Sequence, residues 1–389
     1  ETRTSATAYT PTSGSPIVKY QPTLQTAASG EARFDHDPVT GESKGLLIEE
    51  ARTNLIVGSE EFTGDSNSNR VLNSVIAPDG QQTADEFVGT GGDVIFVNKE
   101  LNVTNGTTYT ISEFVKLGSY TGNIAILLYG TYFNSGGANI TTTFNIANKT
   151  VVGTPSSVIT GYGIEDVGNG WVRIWASATA TATGSIDNQI VRQSEVQVGK
   201  SFYLWGAQLE AGSFPTSYIP TSGSTVTRAA DAAQVQNFDF NDGEGTVYCE
   251  GSIKFSTSAQ SYARLWEITQ DADANSRFNI YMSESGSDLN MGFVNQGTVY
   301  GGPTLDGSYT SGANVKTVVG YKLGENADVA EGGTLSQGSV PWITTGTSRN
   351  RLYLGSASAT SSWSNSYVRK FAYYSKLLSD ATLQAMTSE

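Results

Sequence analysis

Few side chains in this sequence can do chemistry, and they are thinly spread. His36 is the one histidine and Cys249 the one cysteine among 389 residues. A single histidine removes most Ser-His-Asp and His-cluster zinc arrangements, and with one cysteine no Cys/His metal site can be assembled. Cys249 lies in the strand-like TVYCEGSIKF, where a buried, inert thiol is the expected role. Glu49, Glu50 and Arg52 place two acids beside a cation, but no other catalytic group accompanies them, so an ion pair or cap is expected. Asp35, Asp37 and Gly41 in FDHDPVTG have part of a calcium-loop spacing, yet Pro38 and a missing third carboxylate favour a turn. The Gly-Gly pairs at 91–92, 136–137, 301–302 and 332–333 fall between apolar runs and read as hairpin turns, not phosphate loops.

Binding offers more than catalysis. In WVRIW, Trp171, Arg173 and Trp175 share one face of a strand and Val172 and Ile174 the other. Aromatics on a sheet face can stack on sugars, although large aromatics are also the main content of a sandwich core, which is the favoured place for Trp171 and Trp175. Trp342 follows Pro341, and Trp363 sits in ATSSWSNSY; both have polar neighbours that suit either a sugar-stacking loop or a sealed sandwich end. The stretch from Gln270 to Ser276 carries Asp271, Asp273 and Asn275, the best polar cluster in the chain, with a solvated turn as its plain reading.

The elements that must position these groups are strands. Hydrophobic residues make up 38% and charged residues 15%, with 43 glycines. That composition, rich in Ser, Thr and Asn, fits short strands joined by tight turns, hence an all-β chain of two antiparallel β-sandwich domains. Apolar runs separated by Pro78-Asp79-Gly80, Asn105-Gly106 and Asn169-Gly170 predict about nine strands over 58–220, spaced as in a jelly roll. A second set, from GTVYCEGSIKF to YVRKFAYYSKLL, predicts another sandwich over 237–389. Residues 1–57 predict an extended N-terminal arm, poor in apolar anchors over 1–45 and with Leu46-Leu47-Ile48 as a short strand entering a charged turn, and 221–236 predict a linker with one helical turn around Arg228–Ala233. At the C-terminus, Ser379 would cap a short helix that packs Leu383 and Met386 on the sandwich. The net charge of −14 disfavours nucleic acid as a partner, and no run approaches the roughly 18 apolar residues of a membrane span.

The stretch FYLWGAQLEAGSFPTSYIPTSGSTVTRAAD (202–231) ties the two halves together. Its first part alternates, with Tyr203, Trp205, Ala207 and Leu209 expected on one face and Phe202, Leu204 and Gln208 on the other. Pro215 and Pro220 then require an extended strap. This stretch, together with RFDHDPVTGESKGLLIEEARTNLI (33–56) and DVGNGWVRI (166–174), resembles a set of motifs recurring in the tail-associated and other surface proteins of bacteriophage particles. The second half is similar to concanavalin-like, laminin-G-type sandwiches, and LSDATLQ (378–384) resembles the residues that follow their final strand.

The resemblance implies a structural virion protein with carbohydrate-binding-type sandwiches. The expected place is the particle surface, the tail being favoured over the head. The expected role is a tail-fibre adhesin with a host-surface glycan as ligand, associated with other virion proteins and homo-oligomeric, a trimer being favoured. The alternatives are a head-decoration or capsid-fibre assembly part, and a glycan-cleaving spike. Spikes of that kind carry solenoid repeats, none of which occurs here, so no enzymatic activity is expected. Rim loops of laminin-G-type sandwiches bind calcium or sugar, which makes Asp271, Asp273 and Asn275 the candidates for both, and Trp342 and Trp363 candidates for sugar. No cofactor is required, with calcium the one ion implied. Because Glu1 is not a methionine, the chain is expected to be a fragment, a processed product or a renumbered one.

Overall fold

The computed structural model describes residues 17–388 except 22, 29, 65–67, 92–95, 129, 136, 194, 196, 255–261, 271–272, 283–287, 306–311, 343–347 and 358–361. The chain is all-β, built as two antiparallel sandwiches. It opens with a hairpin, β1 (Ile17–Gln21) and β2 (Thr23–Ala27), followed by β3 (Phe34–His36), β4 (Ser43–Ile48) and β5 (Arg52–Asn54). The first sandwich comprises β6 (Thr63–Gly64), β7 (Ser68–Val75), β8 (Ala84–Gly89), β9 (Phe96–Val103), β10 (Thr108–Leu117), β11 (Ile124–Leu128), β12 (Ile140–Asn145), β13 (Thr150–Val152), β14 (Ile159–Gly168), β15 (Trp171–Thr179), β16 (Gly184–Gln193) and β17 (Ser201–Ala211). A four-residue helix, α1 (Gly130–Phe133), interrupts it.

Its sheets run β14-β15-β10-β17-β8-β7 and β13-β12-β11-β16-β9-β6. The pairings β8·β17, β9·β16, β10·β15 and β11·β12 nest within one another, the connectivity of a jelly roll. Asn169 and Gly170 both have positive φ and close the β14–β15 hairpin in two residues, as an Asn-Gly pair favours. Phe87, Ile111, Val172, Ile174, Phe202, Leu204 and Leu209 fill the core with side chains of the facing sheet.

The face alternation of β17 differs from the expectation. Gly206 has φ +67, and the register with β10 shifts there, so Ser112 pairs with Gln208 while Phe114 pairs with Trp205. This bulge inserts one residue and reverses the pleat. Phe202 and Leu204 face the core before it, and Ala207 and Leu209 face the core after it. Tyr203 and Trp205 consequently lie on the outer face, where Trp205 packs with Phe114, Trp171 and Tyr218 in a second apolar cluster. A Cβ on Gly206 would come within 2.9 Å of the Phe114 ring.

After β17 come β18 (Val226–Arg228) and β19 (Ala233–Gln236), then β20 (Glu244–Ile253), β21 (Arg264–Gln270), β22 (Asp273–Met282), β23 (Leu289–Asn295), β24 (Thr298–Leu305), β25 (Asn314–Lys322), β26 (Asn326–Glu331), β27 (Thr334–Pro341), β28 (Arg351–Leu354) and β29 (Ser366–Tyr374). They form sheets β19-β28-β21-β22-β23-β24 and β27-β26-β25-β20-β29-β4-β3. The short strand expected at Leu46–Ile48 is part of β4, and β3 and β4, from the segment expected as an arm, are the last two strands of a sheet of the second sandwich, with β3 at its edge. The expected helical turn at 228–233 is absent. Strand β18 pairs with β5 and β19 with β28, leaving the intervening chain extended. Gly332 and Gly333 do form a hairpin turn, between β26 and β27. Gly301 and Gly302 instead lie inside β24, where a Cβ on Gly302 would strike Met291 at 2.6 Å. The closing helix, α2 (Asp380–Thr387), starts after Ser379 and buries Leu383 against Tyr248, Val318 and Ala330. The Ser379 hydroxyl meets Thr382 Oγ1 at 2.9 Å instead of a backbone N–H.

Two predictions follow from this packing. Gly206→Val combines a strained φ with a clash and should cost about 1–3 kcal/mol, read as a lower unfolding temperature; an unchanged midpoint would mean the bulge is not held in place. Cys249 is buried, which pushes its thiol up to about 12. Native protein at about pH 8 should leave it unreacted with a thiol reagent and release one reactive thiol per chain on unfolding.

Candidate functional site: a groove where the sandwiches meet

The motif residues converge on a buried junction. Arg33 is fully buried; it donates from Nη1 to Glu49 Oε2 at 2.8 Å and to Ser217 Oγ at 3.0 Å, and pairs through Nη2 with Asp231. Asp231 also accepts the Glu49 backbone N–H at 2.8 Å. Glu49 takes a second cation, Lys254 of the second sandwich, at 2.9 Å, and a third, Arg228, at 3.7 Å. Burial opposes ionisation of Glu49, but Lys254, Arg33 and Arg228 together outweigh it and hold the carboxyl well below its ordinary range. Burial also weighs on Arg228, which sits beside Arg33 and ends below its usual value, whereas Arg33, bonded to both carboxylates, ends above.

Around this clamp the strap 212–221 is stitched to the outer face of β17. Gln208 Oε1 accepts the Ile219 N–H at 2.7 Å. Glu210 accepts the Thr216 N–H at 2.5 Å and its hydroxyl at 2.8 Å. Burial raises the Glu210 carboxyl although Arg52 and Arg173 stand near. Arg173 donates to Thr216 O at 2.6 Å and Ser112 Oγ at 2.8 Å. Asn54, wholly buried, makes four bonds: its amide donates to Ala207 O and Ile219 O, and its oxygen accepts from the Ile56 and Leu209 N–H groups. Glu50 pairs with Arg52, the structural role expected of that pair. Asp37 accepts the Val39 and Thr40 N–H groups and closes a turn, again as expected. Asp35 is buried and accepts the Tyr367 hydroxyl at 2.7 Å.

Beside the clamp lies a groove of about 700 Å³, in the size range of ligand pockets. Its walls are edge strand β14 of the first sandwich, Ser213 and Phe214 of the strap, and β4, β20 and β29 of the second. Trp175 of β15 is half-buried there. Gly163, opposite it on β14, and Gly161, opposite Ser177, let the indole lie flush, since a Cβ on Gly163 would meet Nε1 at 2.5 Å and one on Gly161 would meet Cζ3 at 3.1 Å. Tyr162, Phe214 and Tyr367 add aromatic surface, and Lys44, Lys254, Arg369 and Glu165 line the polar parts. Glu165 is the one carboxylate in that lining, so the paired acids of glycoside hydrolysis do not face each other there among the described residues.

The residues singled out from sequence are placed differently. Trp342 is 1% exposed and belongs to the second core, with its ring stacked on Phe293 at 4.2 Å and packed on Tyr321 and Phe278. Its N–H donates to Asp242 O at 2.8 Å, so this indole seals the sandwich end and presents no sugar platform. Trp363 is half-buried and donates to Asp231 O at 2.9 Å, making it part of the junction. Asp271 lies outside the described residues. Asp273 already begins β22, paired with Gln270, and Asn275 is an exposed residue of that strand. Among the described residues no three His, Cys, Asp or Glu side chains gather as a cation site. Trp171 is core, as favoured, and Trp175 is the aromatic of that pair that reaches a cavity. Sequence reasoning passed over Lys44, Tyr162 and Arg369; the alternating glycines of GYG opposite a tryptophan were the only available sign.

No protein-family model and no curated protein matches the sequence. Among solved structures the chain is similar to the Trypanosoma rangeli sialidase, at 10% identity over 99% of this chain and 80% of that one, with a TM-score of 0.30. A likeness that low carries no argument about activity.

Removing the clamp's central acid gives a direct test. Glu49→Gln strands buried cations and should cost about 3–5 kcal/mol at neutral pH. The Glu49 contribution is complete above the unfolded value near 4.5 and declines as pH falls from there toward the lower folded value. The gap in stability between wild type and variant should therefore narrow under acid. A gap that stays constant from neutral pH to about pH 3 would mean Glu49 is not held ionised.

Proposed function

We propose that the chain is a surface protein of a bacteriophage particle, a tail-fibre or tail-associated adhesin that holds host-surface glycan in the junction groove. The observation that carries this reading is Trp175, half-buried in a groove of ligand size and backed by glycines, with an indole N–H that has no partner among the described residues. Such a ring offers an apolar face to a sugar and a donor to its hydroxyls. The motif residues support the structural part of the reading. Arg33, Glu49, Arg52, Asn54 and Glu210 are all spent on the junction, which leaves them no catalytic role. The chain then acts without enzymatic activity, bound to other virion proteins and repeated in a homo-oligomer, a trimer being favoured. Repetition turns weak sugar sites into firm attachment.

A second reading, an assembly part with no receptor role, is favoured by Val71, Leu72 and Ile76, which are exposed together along edge strand β7 and just past it. A glycan array probed with wild type and Trp175→Ala separates the two. Adhesion predicts a defined set of glycans retained by wild type and lost, by about tenfold or more, in the variant at unchanged unfolding temperature. Retention of nothing, with the groove covered by a neighbouring subunit in a map of the whole particle, would leave the assembly reading.

A further inference from the structure

We infer that the groove selects an acidic saccharide, one carrying carboxylates or sulfate esters; this rests on the glycan-binding reading above and names its ligand class. The chain is acidic, with 37 Asp and Glu against 23 Lys and Arg. The groove inverts that balance, because Lys44, Lys254 and Arg369 line it against Glu165 alone. The charges behind the lining do not cancel the excess. Glu49 and Asp231 are matched by Arg33 and Arg228, and Asp35 lies under Tyr367. Five cations thus meet four carboxylates at this one place. A locally positive cleft on a negative surface concentrates anions.

The three lining cations differ in how committed they are. Lys254 is held by Glu49 at 2.9 Å, and Lys44 stands 4.0 Å from Glu165 with its ammonium 5.9 Å from the Tyr367 ring centroid. Arg369 is exposed and has no ion-pair partner among the described residues. Its position follows from the backbone. In the β20·β29 ladder Glu250 pairs with Lys370 and Gly251 with Val368, so Arg369 is the extra residue of a bulge. A bulge re-aims a side chain that regular pleating would send elsewhere. On the neighbouring strand Gly45 makes room for it, as a Cβ there would come within 2.9 Å of the Arg369 Cα. A guanidinium so placed can grip a carboxylate or sulfate through two parallel N–H···O bonds while Trp175 stacks on the sugar ring.

The test titrates the full chain by calorimetry with three tetrasaccharides of matched linkage: a hexuronic acid, an O-sulfated hexose and a neutral hexose. The acidic probes should bind about tenfold or more tightly than the neutral one, with affinity falling as salt rises. Arg369→Gln, a change on an exposed side chain, should remove that advantage at an unchanged unfolding temperature; an advantage that persists in the variant would overturn the role of Arg369. The two acidic arms then decide between carboxylate and sulfate. Equal affinity for neutral and acidic probes, still lost in Trp175→Ala, would overturn the charge inference and keep the glycan reading. Binding of no probe would overturn both.

Discussion

The contact between Arg33, Glu49 and Asp231 is the point on which the two sandwiches depend. Arg33 precedes β3, Glu49 follows β4, and Asp231 lies between β18 and β19, so three distant stretches share one buried ion cluster. Buried charges are costly unless each is paired and hydrogen-bonded. Here each carboxylate oxygen of Glu49 has a cation, and Asp231 is fixed by Arg33 and by a backbone N–H. Such a cluster is a poor source of net stability compared with apolar packing. Its consequence is geometric, because guanidinium and carboxylate must meet in one orientation, which fixes how the strap and both sandwiches are joined.

The groove is a product of that junction. One wall comes from the first sandwich and another from the second, and the clamp residue Lys254 also lines it. Neither sandwich alone would make the cavity. The motif residues are thus conformational in role, and the groove-lining Trp175, Tyr162 and Arg369 stand on strands those residues hold in place. Rigid support and groove lining are then largely different sets of side chains, so one can change without the other.

Much of the architecture was legible from local pattern. Strand runs such as YTISEFVKL and RFNIYMS became β10 and β22, and Asn169-Gly170 became a two-residue turn, because period-two alternation and positive-φ preferences are local properties. The candidate site was far less legible. Trp342 and Trp363 have polar sequence neighbours, yet a ring's surroundings are set by strands far along the chain, Phe293 and Tyr321 for one and Asp231 for the other.

By itself the sequence determined an all-β chain, two sandwiches, the turns between most strands and the extended strap, since composition, alternation and proline act residue by residue. Tertiary structure alone decided which face each β17 side chain takes, because the Gly206 bulge changes the phase without changing the pattern of residue types. It also decided that β3 and β4 complete the second sandwich, that Glu49 is a clamp, and that Trp175 and Arg369 share a groove. Each of those outcomes is a meeting of segments separated by scores to hundreds of residues, and no local spacing carries that information.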